Sequence, residues 1–108
     1  MLYIGNAFSI SMLEGDKSIV NIQKISKEEV KDILISTPFI SAVGHSSTAE
    51  VLTVLLETKI ETNRISISLN RNDKLIVFQL KTRIEEGKIL TQEEILALPH
   101  DFYLVEIL

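Results

Sequence analysis

Three short motifs of one kind divide this chain into alternating pieces. Ser26-Lys27-Glu28-Glu29, Ser47-Thr48-Ala49-Glu50 and Thr91-Gln92-Glu93-Glu94 each set a hydroxyl residue three positions ahead of a glutamate. In such a capping box the hydroxyl oxygen accepts from a backbone N–H one turn in, and the glutamate accepts from the cap's own N–H. Two donors that a helix start would otherwise leave unpaired are then satisfied. Ile25 and Val30 flank the first box, and Leu90 and Ile95 the third, at the spacing of a hydrophobic staple. Each box predicts a helix start. The chain between them must supply what these helices pack against.

That chain reads as strands. Residues 2–4 form a short apolar run, followed by the loop Gly5-Asn6-Ala7-Phe8-Ser9. Residues 18–25 place Val20 and Ile22 two apart, which predicts a strand or hairpin arm. The first helix carries an apolar stripe of Val30, Ile33 and Leu34 and ends before Pro38. The second, with Leu52, Leu55 and Leu56 on one face and Val51 and Val54 widening it, is expected to be more buried. The third is short, and Pro99 ends it. Residues 64–69 alternate, which predicts a strand with Ile65, Ile67 and Leu69 inward; Asn70-Arg71-Asn72-Asp73 then forms the turn of a hairpin. Residues 75–78 are continuously apolar, as in a central strand covered on both faces, and residues 102–107 form a closing strand. The order is roughly β, β, α, (β), α, β, β, α, β. It predicts one α/β domain over residues 1–108, with a mixed β-sheet flanked by helices.

Composition narrows the function classes. A net charge of −4 argues against coating long nucleic acid by bulk electrostatics, but a pocket for a small anion needs only a few cations. Arg64, Lys81, Arg83 and Lys88 lie close together in the second half. The chain has no cysteine, which excludes thiol chemistry and disulfides and fits a reducing cytoplasm, the expected location. Two distant histidines without cysteine make no structural zinc site. The N-terminus does not read as a signal peptide, and no run is long enough to cross a bilayer. No phosphate-binding glycine-rich motif or nucleophile elbow is present.

The candidate site centres on Ser41-Ala42-Val43-Gly44-His45-Ser46-Ser47-Thr48-Ala49. A titratable ring there lies between a strand end and a helix start, beside backbone N–H groups that suit an anion. Gly44 permits close backbone approach or an unusual dihedral, and three hydroxyls are more than one cap requires. A histidine that only caps the helix or satisfies a buried carbonyl is an equal reading. Arg83-Ile84-Glu85-Glu86-Gly87-Lys88 leaves a buried strand as a surface loop and reads as a solvated charge run or as a loop that closes over an anion. Arg64, opening its strand, is an idle edge cation or a fork of donors for phosphate. Asn6 and Ser9 occupy the first loop and also have ordinary uses in turns.

Taken together, Asn6-Ala7-Phe8-Ser9, the His45 run, Asn63-Arg64 and Lys81-Thr82-Arg83-Ile84-Glu85-Glu86-Gly87-Lys88 resemble the type III anti-CRISPR ring nuclease family of small viral and bacterial proteins. The resemblance spans essentially the whole chain. It implies a homodimer that binds cyclic tetra-adenylate across its interface. It implies cleavage, without metal or cofactor, to linear di-adenylate with a 2′,3′-cyclic phosphate, which silences the defence nucleases that the messenger activates. For a viral member, the location is the host cell cytoplasm. It places catalysis on His45, Glu86 and Arg83, and substrate binding on Asn6, Ser9, Gly44, Ser46, Ser47, Arg64 and Arg83. Some relatives carry a lysine just before the last strand, where this chain has His100 and Asp101. A protein that binds a nucleotide or nucleic acid and cleaves nothing is the alternative.

Overall fold

Strand β1 (Leu2–Gly5) lies between β3 (Phe39–Ser41) and β4 (Lys74–Leu80) and runs parallel to both. On the far side of β4 lies β5 (His100–Ile107), antiparallel to it, and β2 (Val20–Ile25) pairs antiparallel with β5 to complete a five-stranded sheet of order β2-β5-β4-β1-β3. β2 therefore points the same way as β1, β3 and β4, and four carboxyl-terminal strand ends share one edge of the sheet. In this computed structural model, residues 1–83 and 89–108 are described.

The helices pack on one face. Val30 and Leu34 of α1 (Lys27–Ser36), Leu52 and Leu55 of α2 (Ser46–Leu56), and Ile95 of α3 (Gln92–Leu96) bury against Leu2, Ile4, Ile76, Phe78, Phe102 and Leu104 of the sheet. Irregular chain covers part of the other face. Phe8, Met12 and Leu13, around the 3-10 turn Ile10–Met12, pack with Ile67 and Leu69 on Leu75, Val77, Val105 and Ile107. Period-2 alternation thus divides each central strand between two cores, and residues 75–78 are indeed covered on both sides.

Local signals explain most helix boundaries. Ser26 and Thr91 are the N-caps of α1 and α3, and both capping boxes are closed: each hydroxyl accepts from the N3 amide, at 3.0 and 3.1 Å, while the glutamate accepts from the cap amide at 3.1 Å. α2 differs from the expectation. It starts at Ser46, its N-cap is His45, and the ring makes no capping hydrogen bond. The backbone leaves β3 in extended form through His45 and turns helical one residue later, so the box at Ser47 lies inside the helix. α2 ends on Glu57, which adopts the left-handed conformation at φ 54°. Its carboxylate accepts from Lys31 of α1 at 2.7 Å, and that bond holds the Glu57 carboxyl below its usual range and raises the Lys31 ammonium.

The expected strand over residues 64–69 is not formed. β4 already has β1 and β5 as neighbours, so no ladder is open to a hairpin partner. Residues 57–73 instead pass around the β3 edge. They touch strand-like pairing only where Leu69 bridges Leu13, and Ile65 is 43% exposed rather than inward. The turn at residues 70–73 does form, with the Asp73 amide donating to the Asn70 carbonyl and Asn72 at φ 75°. β5 is an interior strand rather than a closing one. The edge on its side is β2, where Ile22 stands 54% exposed.

Candidate functional site

The shared edge of strand ends is where the predicted residues gather. Asn6 follows β1, residues 42–45 link β3 to α2, and Lys81 and Arg83 follow β4. The chain leaves β3 on one side of β1, passes through α2 and enters β4 on the other side, so the connection crosses over β1 near its carboxyl end. A cleft of about 180 Å³ lies there, lined by Asn6, Thr48 in the first turn of α2, and Gln79 and Leu80 at the end of β4, over Phe78. Through Asn6 and Gln79 it continues into a groove of about 390 Å³ on the partly bare sheet face, beside Phe8, Ile22, Val77 and Tyr103.

Arg64 reaches this edge through a chain of hydrogen bonds. The Ser41 hydroxyl donates to the Glu61 carbonyl at 2.6 Å and accepts from the Val43 amide at 3.2 Å. Asn63 donates its amide N–H to the Val43 carbonyl and its side-chain Nδ2 to the Ser41 carbonyl, both at 2.7 Å. This pins residues 61–64 against the β3–α2 link. The Arg64 side chain then lies over Gly44, with Nη2 donating to its carbonyl at 3.4 Å. A Cβ added at Gly44 would meet the arginine stem at 3.6–3.8 Å, an ordinary contact, and the Gly44 φ is not positive. The glycine is therefore not required by dihedral or by space, and the expected unusual backbone is absent.

His45 stands next to this arginine, exposed, at the start of α2. Ser47 is exposed in the same first turn, while Ser46 faces away into a separate cleft between α2 and residues 59–62, near Thr53 and Lys59. Ser9 has a local use: its hydroxyl accepts from the Ser11 amide at 3.3 Å and caps the 3-10 turn. Arg83 is exposed and has no hydrogen-bond or ion-pair partner among the described residues. Glu86, Gly87 and Lys88 lie outside the described residues. The structure thus brings Gly44, His45, Ser47 and Arg64 into one cluster and places Asn6 in the adjoining cleft. Ser46 turns elsewhere.

Near the start of β5, Asp101 holds two cations, Lys24 at 3.3 Å and Lys81 at 3.1 Å. The hydrogen bond from Lys81, then that from Lys24, keeps its carboxyl below the usual range against the opposing effect of desolvation. His100 faces the helix side instead. Its ring packs against Phe78 and Phe102, with centroids 5.5 and 5.4 Å away, and Nδ1 donates to the Leu98 carbonyl at 2.7 Å. It is a half-buried histidine with its Nδ1 satisfied, and the ammonium groups of this corner come from Lys24 and Lys81. Among the described residues no three His, Cys, Asp or Glu side chains are grouped as metal ligands would be.

Sequence reasoning missed Gln79, the one exposed polar residue at the carboxyl end of a buried apolar run, a signature available in principle. It also missed the Ser41–Asn63 clasp, which joins residues 22 apart and leaves no local pattern.

The comparisons agree with this fold. The chain is 40% identical to the uncharacterized protein 26 of Sulfolobus islandicus filamentous virus (isolate Iceland/Hveragerdi), over 99% of this chain and 92% of that protein. It is 34% identical to the uncharacterized protein YddF of Bacillus subtilis (strain 168), over 92% and 94%. Its fold matches the solved structure of B116 of Sulfolobus turreted icosahedral virus with a TM-score of 0.82, at 30% identity and 97% coverage of both chains. The STIV B116-like family profile matches residues 2–104, and the chain belongs to that family.

Proposed function

We propose that this protein is a ring nuclease that binds cyclic tetra-adenylate across a homodimer interface. It cuts the ring, without metal, to linear di-adenylate ending in a 2′,3′-cyclic phosphate, and so counters type III CRISPR signalling. The observation that carries the reading is His45 at a helix start that no side chain of its own caps, with Arg64 clasped beside it. RNA brings its own nucleophile. The 2′-hydroxyl gives up its proton to water as its oxygen attacks the adjacent phosphorus, the bond to the 5′-oxygen breaks, and the phosphate closes on the 2′- and 3′-oxygens. The protein must hold these atoms in line. The leaving 5′-oxygen needs a proton, and an imidazolium supplies one near neutral pH. Charge on the phosphoryl oxygens is met by the free N–H groups of α2 and by arginine. Arg64 and Arg83 take this role, and Glu86 orients the His45 ring. Asn6, Ser9 and Ser47 line the approach. A two-fold ring of four identical nucleotides matches a two-fold dimer, each protomer offering one such cluster.

One observation favours a second reading. The His45 ring has no hydrogen-bond partner among the described residues, and a general acid is better held by one. A protein that captures the ring without cutting it would have this feature too. His45→Ala separates the two. Under the nuclease reading it slows single-turnover cleavage by roughly 10²–10⁴-fold and changes affinity far less. A substrate with 5′-sulfur in place of the leaving oxygen, which needs no proton to depart, recovers most of the loss. Equal rates for wild type and variant remove His45 from the chemistry.

A further inference from the structure

The ion-paired corner of β2, β4 and β5 lies on the rim of the groove. Across the β4–β5 ladder Asp101 stands directly opposite Gln79, and Val77 opposite Tyr103; across β2–β5, Lys24 stands opposite Tyr103. Residues paired in this way share a face of the sheet. Lys24 and Asp101 therefore face the partly bare side, where Ile22, Gln79 and Tyr103 line the 390 Å³ groove. Lys81 lies just past β4 and turns its ammonium group back to the same carboxylate. Each lysine takes a separate oxygen: Lys24 Nζ is 3.3 Å from Oδ1, and Lys81 Nζ is 3.1 Å from Oδ2. The Asp101 side chain is 17% exposed, whereas more than half of each lysine side chain is open to solvent. Neither lysine has another ion-pair partner among the described residues. A carboxylate that bridges two ammonium groups through two oxygens occupies the position that two phosphate oxygens would take.

This carboxylate has two effects of opposite sign. It holds together two cations that would otherwise repel. It also leaves the corner with two ammonium charges against one carboxylate, a net charge of one where the lysines alone would carry two. The geometry points to an internal brake: Asp101 engages Lys24 and Lys81 in place of a ligand phosphate and lowers the affinity of the groove for anions. The brake rests on the ring-nuclease reading for the nature of the ligand. A ring of four phosphates shared by two protomers presents two to each. The His45–Arg64 cluster meets one, and a second that reaches the groove rim finds its cations already engaged. Binding energy that holds substrate and product alike does not speed the chemical step. Each linear product keeps its phosphates, so a restrained corner also releases it sooner.

The test uses cyclic tetra-adenylate methylated on its 2′-oxygens, which cannot be cut, and calorimetry at low and high salt. Asp101→Asn should bind this ring roughly 3- to 10-fold more tightly than wild type at low salt, with the gain fading as salt screens the charge. Asp101→Glu keeps the charge and should stay close to wild type. Adding Lys24→Met and Lys81→Met to Asp101→Asn should abolish the gain. A merely structural role for Asp101 predicts the reverse: Asp101→Asn binds no better than wild type, or worse, alongside a lowered melting temperature. That result overturns the brake, and the nuclease reading survives it if the unmethylated ring is still cut. If Asp101→Asn binds more tightly but neither protein ever cuts the unmethylated ring, the brake stands and the nuclease reading fails. A ring that binds neither wild type nor Asp101→Asn overturns both.

Discussion

Asp101 shows how a single carboxylate arranges the cationic corner. Lys81 and Lys24 both hold its carboxyl below the ordinary aspartate value of 3.8, so folding favours the charged form. A depressed folded value means the stabilisation is present above pH 3.8 and lost as pH falls through the lower folded value. Urea unfolding of wild type and Asp101→Asn should therefore differ near pH 6, with wild type more stable, and converge at strongly acidic pH. A difference that is constant or grows toward acid contradicts the ion-pair account. This pairing was not legible in the sequence, because its three members come from β2, β5 and the chain after β4. His45 was legible, since a lone histidine between a glycine and three hydroxyls is unusual by itself. Arg64 was legible as a residue but not as a place. Its position depends on Asn63 reaching the Ser41 carbonyl, a contact fixed by topology rather than by spacing.

Among the elements, α2 carries the tension between stability and use. α1 and α3 open on closed capping boxes, and both were readable because the signal is local and four residues long. α2 opens on His45, a poor cap, whose side chain makes no capping bond to the first N–H groups of the helix. His45→Asn supplies an accepting side chain at that position. It should raise stability by about 0.5–1 kcal/mol, within the range of cap substitutions, while cleavage falls as it does for His45→Ala. Thermal melts and single-turnover rates on the same preparation check both halves. A variant that loses stability would show that the ring already does structural work at the helix start. The strand expected over residues 64–69 failed for a reason that periodicity does not contain. Alternating isoleucines report one wet and one dry side, yet pairing requires a free strand edge, and β4 has none.

For the whole molecule, sheet order decides where function can lie. Four parallel carboxyl ends on one edge gather Asn6, the His45 link, Arg83 and the Asp101 corner, although these are scattered over some hundred residues of sequence. The fold class was readable from the alternation of capped helices and apolar runs; the order β2-β5-β4-β1-β3 was not, because nothing local distinguishes an edge strand from an interior one. A ring shared by two clusters requires two chains. Light scattering at micromolar concentration should report about twice 12.2 kDa, and a strict monomer with and without ligand removes the shared-ring arrangement. The most direct measurement is cleavage itself. Cyclic tetra-adenylate is incubated with the protein in excess chelator, and the products are weighed by mass spectrometry. The account predicts di-adenylate ending in a cyclic phosphate, formed at the same rate with or without chelator; intact ring recovered at high protein concentration would contradict it.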